Sequence, residues 1–207
     1  MIDKLQFISN QTKELTHLDS IKIALDAGCR WIQLRVKDQP YEEVLKTAIE
    51  AKNLTEKYQA KLIINDDPFV AREIDAYGLH LGLKDMPIIS ARKIVGEKMI
   101  IGGTANTLEN ILDHLKEGAD YVGLGPFRFT STKQNLSPIL GLDGYKNLTE
   151  SLKNLKHSIP LIAIGGIMQD DIPEILETGI YGVAISGSII SAANPKNVVY
   201  KINKVLC

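Results

Sequence analysis

Charged side chains close the second apolar run of the sequence. Gln33, Arg35 and Lys37 alternate with apolar residues at the end of "WIQLRVK". Because successive side chains of a strand point to opposite faces, this alternation predicts that the three polar side chains share one face. Two cations there indicate a clamp for phosphate groups, in which the arginine can bind bidentately. The alternative is a solvated strand end.

Carboxylates close the next two apolar runs. Asp66 and Asp67 follow the run at 61–65, and Asp85 follows the run at 78–82. Either Asp66 or Asp67 could instead cap the helix that the following proline opens. Carboxylates from adjacent loops, close to cations, suit a Mg²⁺ ion shared with phosphate oxygens, because Mg²⁺ takes one or two protein carboxylates and completes its shell with water and phosphate.

Two further polar positions leave both a structural and a functional interpretation open. Thr104 and Asn106 follow the run at 99–103 and can either hydrogen-bond an anion or cap a turn. His80 lies inside an apolar run, where it is either a hydrogen-bonded core histidine or a ligand contact.

Small residues close the last two apolar runs. "AIGGI" and "AISGSI" each precede a segment that resembles a helix start. Paired glycine-rich ends of this kind predict a cup in which backbone N–H groups hold a monophosphate. Its candidate residues are Gly165, Gly166, Ser186 and Gly187.

The stretch "GLGPFRFTSTK" delivers three hydroxyls and an ammonium after an apolar run. These side chains are Thr130, Ser131, Thr132 and Lys133. They belong to the longest irregular stretch, 126–141, and so long a loop in an economical fold is usually functional or a lid.

Eight short apolar runs must position these side chains. They are nearly continuous rather than alternating, as expected of parallel strands buried on both faces, and helical spacing lies between them, as in 41–58 and 108–118. The runs are 5–9, 31–36, 61–65, 78–82, 99–103, 121–125, 160–166 and 182–186. The pattern predicts the α/β class and a single (β/α)8 TIM barrel forming one domain over residues 1–207.

An internal repeat supports a closed barrel. Segments such as "DAGCRWIQL" and "KEGADYVGL" end a helix, turn, present an aromatic residue and enter a strand. Gly28, Gly118 and Gly179 stand where a helix end commonly needs a left-handed residue. Such recurrence fits the turns of a symmetric barrel better than an open sheet.

Composition excludes several classes of protein. The 207 residues are 44% hydrophobic and 24% charged, with a formal net charge of -1 and no dense basic run, so neither nucleic acid nor a membrane is an expected partner. The amino terminus does not read as a secretory signal, so a cytoplasmic location is expected. Cys29 is expected in the core, and Cys207 as an incidental thiol.

Seven segments together are similar to the thiamine-phosphate synthase family. They are "QLRVK", "INDD", "GLHLGLKD", "YVGLGPFRFTSTK", "PILGL", "AIGGI" and "GVAIS", in order from about residue 30 to 190. The resemblance implies a Mg²⁺-dependent transferase. It would move a hydroxymethylpyrimidine group from its diphosphate to a thiazole phosphate, forming thiamine phosphate and releasing pyrophosphate.

The resemblance also implies a role for each matched residue. Gln33 would contact the pyrimidine, and Thr104 takes the place of a serine that contacts the diphosphate or pyrimidine. Asp66 and Asp85 would bind Mg²⁺. The implied diphosphate ligands are Arg35, Lys37, Asn65 and Lys133. The implied ligands of the thiazole phosphate are Thr130, Thr132 and the backbone at Gly165 or Gly166, Ile185 and Ser186.

Four residues depart from the family pattern. Val36 and Ser131 stand where acidic residues are frequent, and Asp67 replaces a common arginine, which leaves open whether Asp66 or Asp67 is the better metal ligand. Asn106 takes a position often filled by a histidine that matters in the related thiazole tautomerase.

Other readings of the chain stay open at this point. A thiazole tautomerase or another phosphate-substrate TIM-barrel isomerase is the alternative activity, and a non-catalytic phospholigand-binding protein is the alternative class. The partners expected are small-molecule substrates. Whether helices such as 41–58 pack on a second copy in a homo-oligomer stays open.

Overall fold

Eight parallel strands close into a barrel in their order along the chain. The computed structural model describes residues 2–129 and 137–207. The strands are β1 (Leu5–Ile8), β2 (Trp31–Leu34), β3 (Lys61–Asn65), β4 (Gly78–Leu81), β5 (Ile100–Ala105), β6 (Tyr121–Leu124), β7 (Leu161–Ile164) and β8 (Gly182–Ile185). The predicted (β/α)8 TIM barrel is confirmed.

Helices follow the strands and cover the outside of the barrel. They are α1 (His17–Ala27), α2 (Tyr41–Lys57), α3 (Pro68–Glu73), α4 (Ile88–Val95), α5 (Leu108–Glu117), α6 (Gly141–Asn154), α7 (Ile172–Glu177), α8 (Gly187–Ile190) and α9 (Pro195–Leu206). A 3-10 turn at Gln169–Asp171 precedes α7. Among the described residues, we find no helix with the length and apolar character needed to cross a membrane.

The strands are apolar on both faces because each face packs against a different layer. Ile32, Leu62 and Ile64 belong to the large cluster between strands and helices. Trp31 and Ile63, one position away, belong to a smaller cluster inside the barrel. The period of two along each strand therefore divides its side chains between the two layers.

The helix ends follow the predicted repeat. Gly28, Gly118 and Gly179 have φ angles of 109°, 85° and 90°, in the left-handed region that glycine adopts without steric cost. Asp75 takes the corresponding turn after α3 with φ of 48°. Cys29 is 1% exposed, and burial raises the pKa of its thiol to about 12, so its predicted core placement is confirmed.

Several strand boundaries differ from those predicted. The expectation that 31–36 is one strand, with the alternation running on to Lys37, is wrong because β2 ends at Leu34. Likewise β7 ends at Ile164 rather than at 166, since Gly165 and Gly166 turn into positive φ. The short helix α8, directly after β8, was not predicted, because four residues carry too little periodicity to be seen.

Candidate active site

A cavity of about 220 Å³ opens at the carboxyl ends of the strands. Residues following β1, β2, β7 and β8 line it, together with residues of β5 and of the segments before and after 130–136. Among the predicted site residues, those lining it are Arg35, Thr104, Gly165, Gly166, Ile185, Ser186 and Gly187. Residues far apart in the chain therefore meet at the end of the barrel where (β/α)8 enzymes have their active sites.

A cation and two carboxylates form a cluster after β2, β3 and β4. Lys37 makes an ion pair with Asp66. Asp66 is hydrogen-bonded to Asp85, whose Oδ2 also accepts the backbone N–H of Gly82 at 2.6 Å. These three side chains are not among those lining the cavity. The predicted neighbourhood of a lysine and carboxylates from adjacent loops is nevertheless present.

The environment of Asp66 raises the pKa of its carboxyl group. Burial and the neighbouring Asp85 carboxyl raise the pKa of Asp66 to about 6, and the ammonium of Lys37 opposes that rise. Its backbone is also unusual, with φ of 71°, which an aspartate tolerates better than most residues. Backbone strain of this kind is typical of functional sites.

Asp67 differs from Asp66 in that its side chain caps the amino terminus of α3. Its Oδ1 accepts the backbone N–H groups of Phe69 at 2.8 Å and Val70 at 3.1 Å, and Pro68 is the first residue of α3. This is an N-cap with proline at the first helical position. The capping alternative is therefore correct for Asp67, which leaves Asp66 as the carboxylate that faces Asp85.

Two buried polar atoms have no hydrogen-bond partner among the described residues. They are Nδ2 of Asn65, at the end of β3, and Oγ of Ser186, at the end of β8. Leaving such a group unpaired costs about 1–3 kcal/mol, so each is a natural place for a ligand to bond.

Polar side chains also form a chain inside the barrel. Gln33 Nε2 donates to Gln6 Oε1 at 3.4 Å, and Gln6 Nε2 donates to the Tyr121 hydroxyl at 3.4 Å. His80 continues it, with Nδ1 3.1 Å from that hydroxyl and Nε2 3.0 Å from Thr104 Oγ1. His80 is thus a buried, hydrogen-bonded core histidine, which is the first of the two interpretations that the sequence left open. Gln33 is 2% exposed and does not line the cavity.

The glycines after β7 are required by their surroundings. Gly165 and Gly166 have φ of 97° and 69°. A Cβ on Gly165 would lie 2.8 Å from Cβ of Pro126, closer than side chains approach. These two residues can therefore pass beside the β6 end only without a side chain, which leaves their backbone facing the cavity.

Asn106 holds together the two described sides of the segment after β6. Its Nδ2 donates to the carbonyl of Gly125 at 3.0 Å and to that of Pro138 at 2.8 Å. Gly125 and Ser137 both line the cavity. Sequence reasoning offered an anion contact or a turn cap for Asn106, and its two amide hydrogens serve the cavity wall instead.

Three predicted site residues, and one hydroxyl without an assigned role, lie outside the described residues. They are Thr130, Thr132 and Lys133, and Ser131.

Sequence reasoning missed Gln6, Ser9, His17 and Tyr121. Gln6 and Tyr121 lie within apolar runs, where alternation gives no sign that they share the barrel interior. Ser9 directly follows β1, so the rule that strand ends carry the site could have found it.

Together the fold and the site define a (β/α)8 enzyme with polar groups and a glycine-rich turn at the carboxyl ends of its strands. The family model described as thiamine monophosphate synthase matches residues 5–189. The chain belongs to this family.

Individual relatives agree with the family. The chain is 50% identical over 191 residues to a thiamine-phosphate synthase of Bacteroides thetaiotaomicron, covering 92% of this chain and 91% of that protein. It is 47% identical to a thiamine-phosphate synthase of Flavobacterium psychrophilum over the whole of both chains. A solved structure of thiamine phosphate pyrophosphorylase from Pyrococcus furiosus superposes with a TM-score of 0.83 at 32% identity, covering 98% of this chain and 95% of that one.

These similarities confirm that the chain is a transferase of the thiamine-phosphate synthase kind, as the motifs predict. The alternative of a tautomerase or another barrel isomerase is not favoured.

Proposed function

We propose that the chain joins hydroxymethylpyrimidine, supplied as its diphosphate, to thiazole phosphate, with release of pyrophosphate. One observation carries this proposal: two buried polar atoms without a hydrogen-bond partner among the described residues lie at two separate strand ends. Asn65 Nδ2 lies at the end of β3, next to Asp66, and Ser186 Oγ lies at the end of β8, in the glycine-rich cup. A substrate pair with phosphates at both ends would satisfy both atoms.

On the donor side, the task is to stabilise the departing pyrophosphate. Arg35, Lys37 and Asn65 supply donors around the ends of β2 and β3, and the resemblance adds Lys133. If the C–O bond to diphosphate breaks largely before the C–N bond forms, negative charge develops on the leaving group. Preorganised cations stabilise that charge better than a nucleophile would. The thiazole nitrogen attacks with its own lone pair, so no general base is required.

Asp66 and Asp85 are the residues that would hold Mg²⁺. Their paired carboxyl groups offer oxygen ligands, and a cation bound between them would offset the burial and the neighbouring Asp85 carboxyl that raise the pKa of Asp66. No group of three metal-ligating side chains occurs within residues 2–129 and 137–207, and a two-carboxylate site suits Mg²⁺ better than a transition metal. When bound, Mg²⁺ would neutralise charge on the diphosphate oxygens.

On the acceptor side, neutral groups would hold the thiazole phosphate. The backbone at Gly165, Gly166 and Ile185 and the hydroxyl of Ser186 line the cavity, and the resemblance adds Thr130 and Thr132. Neutral donors bind a phosphate without drawing the metal away from the leaving group.

The pyrimidine would lie against the barrel interior. Thr104 lines the cavity, and Gln33 lies deeper, at the other end of the hydrogen-bond chain that includes Tyr121 and His80. This arrangement supports a contact of Thr104 with the pyrimidine or the diphosphate, and a more remote role for Gln33.

The same proposal includes a cytoplasmic enzyme that forms one domain over residues 1–207. The closed barrel supports the single domain.

The test is to mix the protein with the pyrimidine diphosphate, thiazole phosphate and Mg²⁺ and to follow pyrophosphate with a coupled assay. We expect one pyrophosphate for each thiamine phosphate formed, and no release without the thiazole. A folded protein that binds both substrates and releases no pyrophosphate would contradict the proposal.

A further inference from the structure

Ser9 and His17, which have no role in the proposed function, form a hydrogen-bonded pair that contacts the backbone of Arg35. We propose that Ser9 and His17 are positioning residues, which fix the direction in which Arg35 leaves β2 and so aim its guanidinium. The inference rests on the proposed function, in which Arg35 binds the diphosphate.

The side chain of Ser9 continues the pairing between β1 and β2 beyond the end of β2. Its backbone N–H donates to the carbonyl of Gln33 at 2.8 Å, which continues the pairing of β1 with β2. Its side chain then accepts the backbone N–H of Arg35 at 2.9 Å. A side chain thus replaces the backbone partner that a longer strand would supply, and β2 ends at Leu34. Ser9 is 2% exposed, so water is a poor substitute for this bond.

His17 holds the Ser9 hydroxyl in that orientation. Its Nδ1 lies 3.0 Å from Ser9 Oγ. Since Oγ already accepts from Arg35, its own hydrogen is free to donate to an unprotonated Nδ1. Burial and the charge of Arg35 lower the pKa of His17, which agrees with a neutral ring that accepts this bond.

The hydrogen bond between Ser9 and His17 lies next to the candidate active site. Ser9 and Arg35 both line the cavity, whereas His17, the first residue of α1, is not among the lining residues. A second bond ties the same region together, because Asn10 N–H donates to Ser20 Oγ in α1 at 3.3 Å. The first turn of α1 therefore anchors the segment after β1, and through Ser9 it anchors Arg35.

The first experiment compares Ser9→Ala, His17→Leu and His17→Asn. Leucine removes the ring nitrogen, whereas the asparagine side chain keeps a polar atom in place of Nδ1. We expect Ser9→Ala and His17→Leu each to lower kcat/KM for the pyrimidine diphosphate about tenfold, the size expected for one lost buried hydrogen bond, and to weaken inhibition by inorganic pyrophosphate. The KM for thiazole phosphate should change little. His17→Asn should recover most of the loss.

The second experiment combines Ser9→Ala with Arg35→Ala. If Ser9 acts through Arg35, its substitution should have no further effect on pyrophosphate inhibition when Arg35 is absent. Independent losses in the double variant, or equal losses for His17→Leu and His17→Asn, would overturn the inference. If Arg35→Ala alone leaves pyrophosphate inhibition unchanged, the proposed role of Arg35 fails, and the inference fails with it. Should Ser9→Ala not fold, the His17 pair in both Arg35 backgrounds gives the same test.

Discussion

His80 Nε2 lies 3.0 Å from Thr104 Oγ1, and Thr104 lines the cavity whereas His80 does not. The direction of this bond follows from the groups behind it. Gln6 donates to the Tyr121 hydroxyl, so that hydroxyl is best placed to donate to His80 Nδ1, and the ring then carries its hydrogen on Nε2. Thr104 accepts from His80, and its own hydroxyl hydrogen is free to donate into the cavity.

Replacing Tyr121 should disturb Thr104 without touching it. Burial raises the pKa of Tyr121, so its hydroxyl stays a donor over the working pH range. We expect Tyr121→Phe to reduce kcat/KM for the donor substrate about tenfold, the effect of one lost buried hydrogen bond, and to remove the hydrogen bond that His80 Nδ1 accepts. Nitrogen NMR of the ring and steady-state kinetics measure the two effects. A wild-type ring with its hydrogen on Nδ1 rather than Nε2 would contradict the assigned direction.

The two neighbouring aspartates should respond differently to loss of charge. We expect Asp66→Asn to lower the apparent affinity for Mg²⁺ at least tenfold, because a metal ligand is lost. Asp67→Asn is the matched control. It should leave Mg²⁺ affinity within about twofold, since asparagine is as good an N-cap as aspartate. Titration of activity with Mg²⁺ distinguishes them, and equal losses in both variants would mean that the carboxylates are assigned wrongly.

The raised pKa of Asp66 predicts how stability depends on pH when no metal is bound. The folded pKa, about 6, lies above the ordinary value of 3.8, so the folded state binds the proton more tightly. This group therefore favours folding below about pH 4, and its contribution is lost as the pH rises through about 6. In EDTA, thermal unfolding of the wild type should lose stability relative to Asp66→Asn over that window. Added Mg²⁺ should remove the difference, and a wild type that gains on the variant with rising pH in EDTA would contradict this.

Loss of the Asn106 amide should loosen the cavity wall. Asn106→Asp keeps the shape but replaces two donors by a carboxylate that faces the carbonyls of Gly125 and Pro138. We expect a loss of about 2–4 kcal/mol in the free energy of unfolding, measured with denaturant, and a raised KM for thiazole phosphate.

The control for Asn106 is Asn110→Asp. Asn110 Oδ1 accepts from the backbone N–H groups of Asn106 and Thr107, and aspartate keeps that acceptor in the first turn of α5. Its stability should be unchanged or slightly higher. A similar loss in both variants would show that the effect comes from the added charge.

The sequence by itself determined that there are eight strands, their order and the end of the barrel that carries Arg35, Asp66, Asp85 and the glycine pair, but not every strand boundary. Periodicity, turn residues and motif order are local signals, and each was strong enough to read along the chain. The family resemblance rested on the same segments and was confirmed by the comparisons.

Only the tertiary structure decided which partner each polar side chain takes. Asp67 became the cap and Asp66 the partner of Asp85 because the backbone turns between them. Gln6 and Tyr121 are 115 residues apart, and Ser9 and Arg35 are 26 apart. Such bonds depend on the closure and register of the barrel, which bring distant strand ends together. Local sequence patterns do not predict which residues meet in this way.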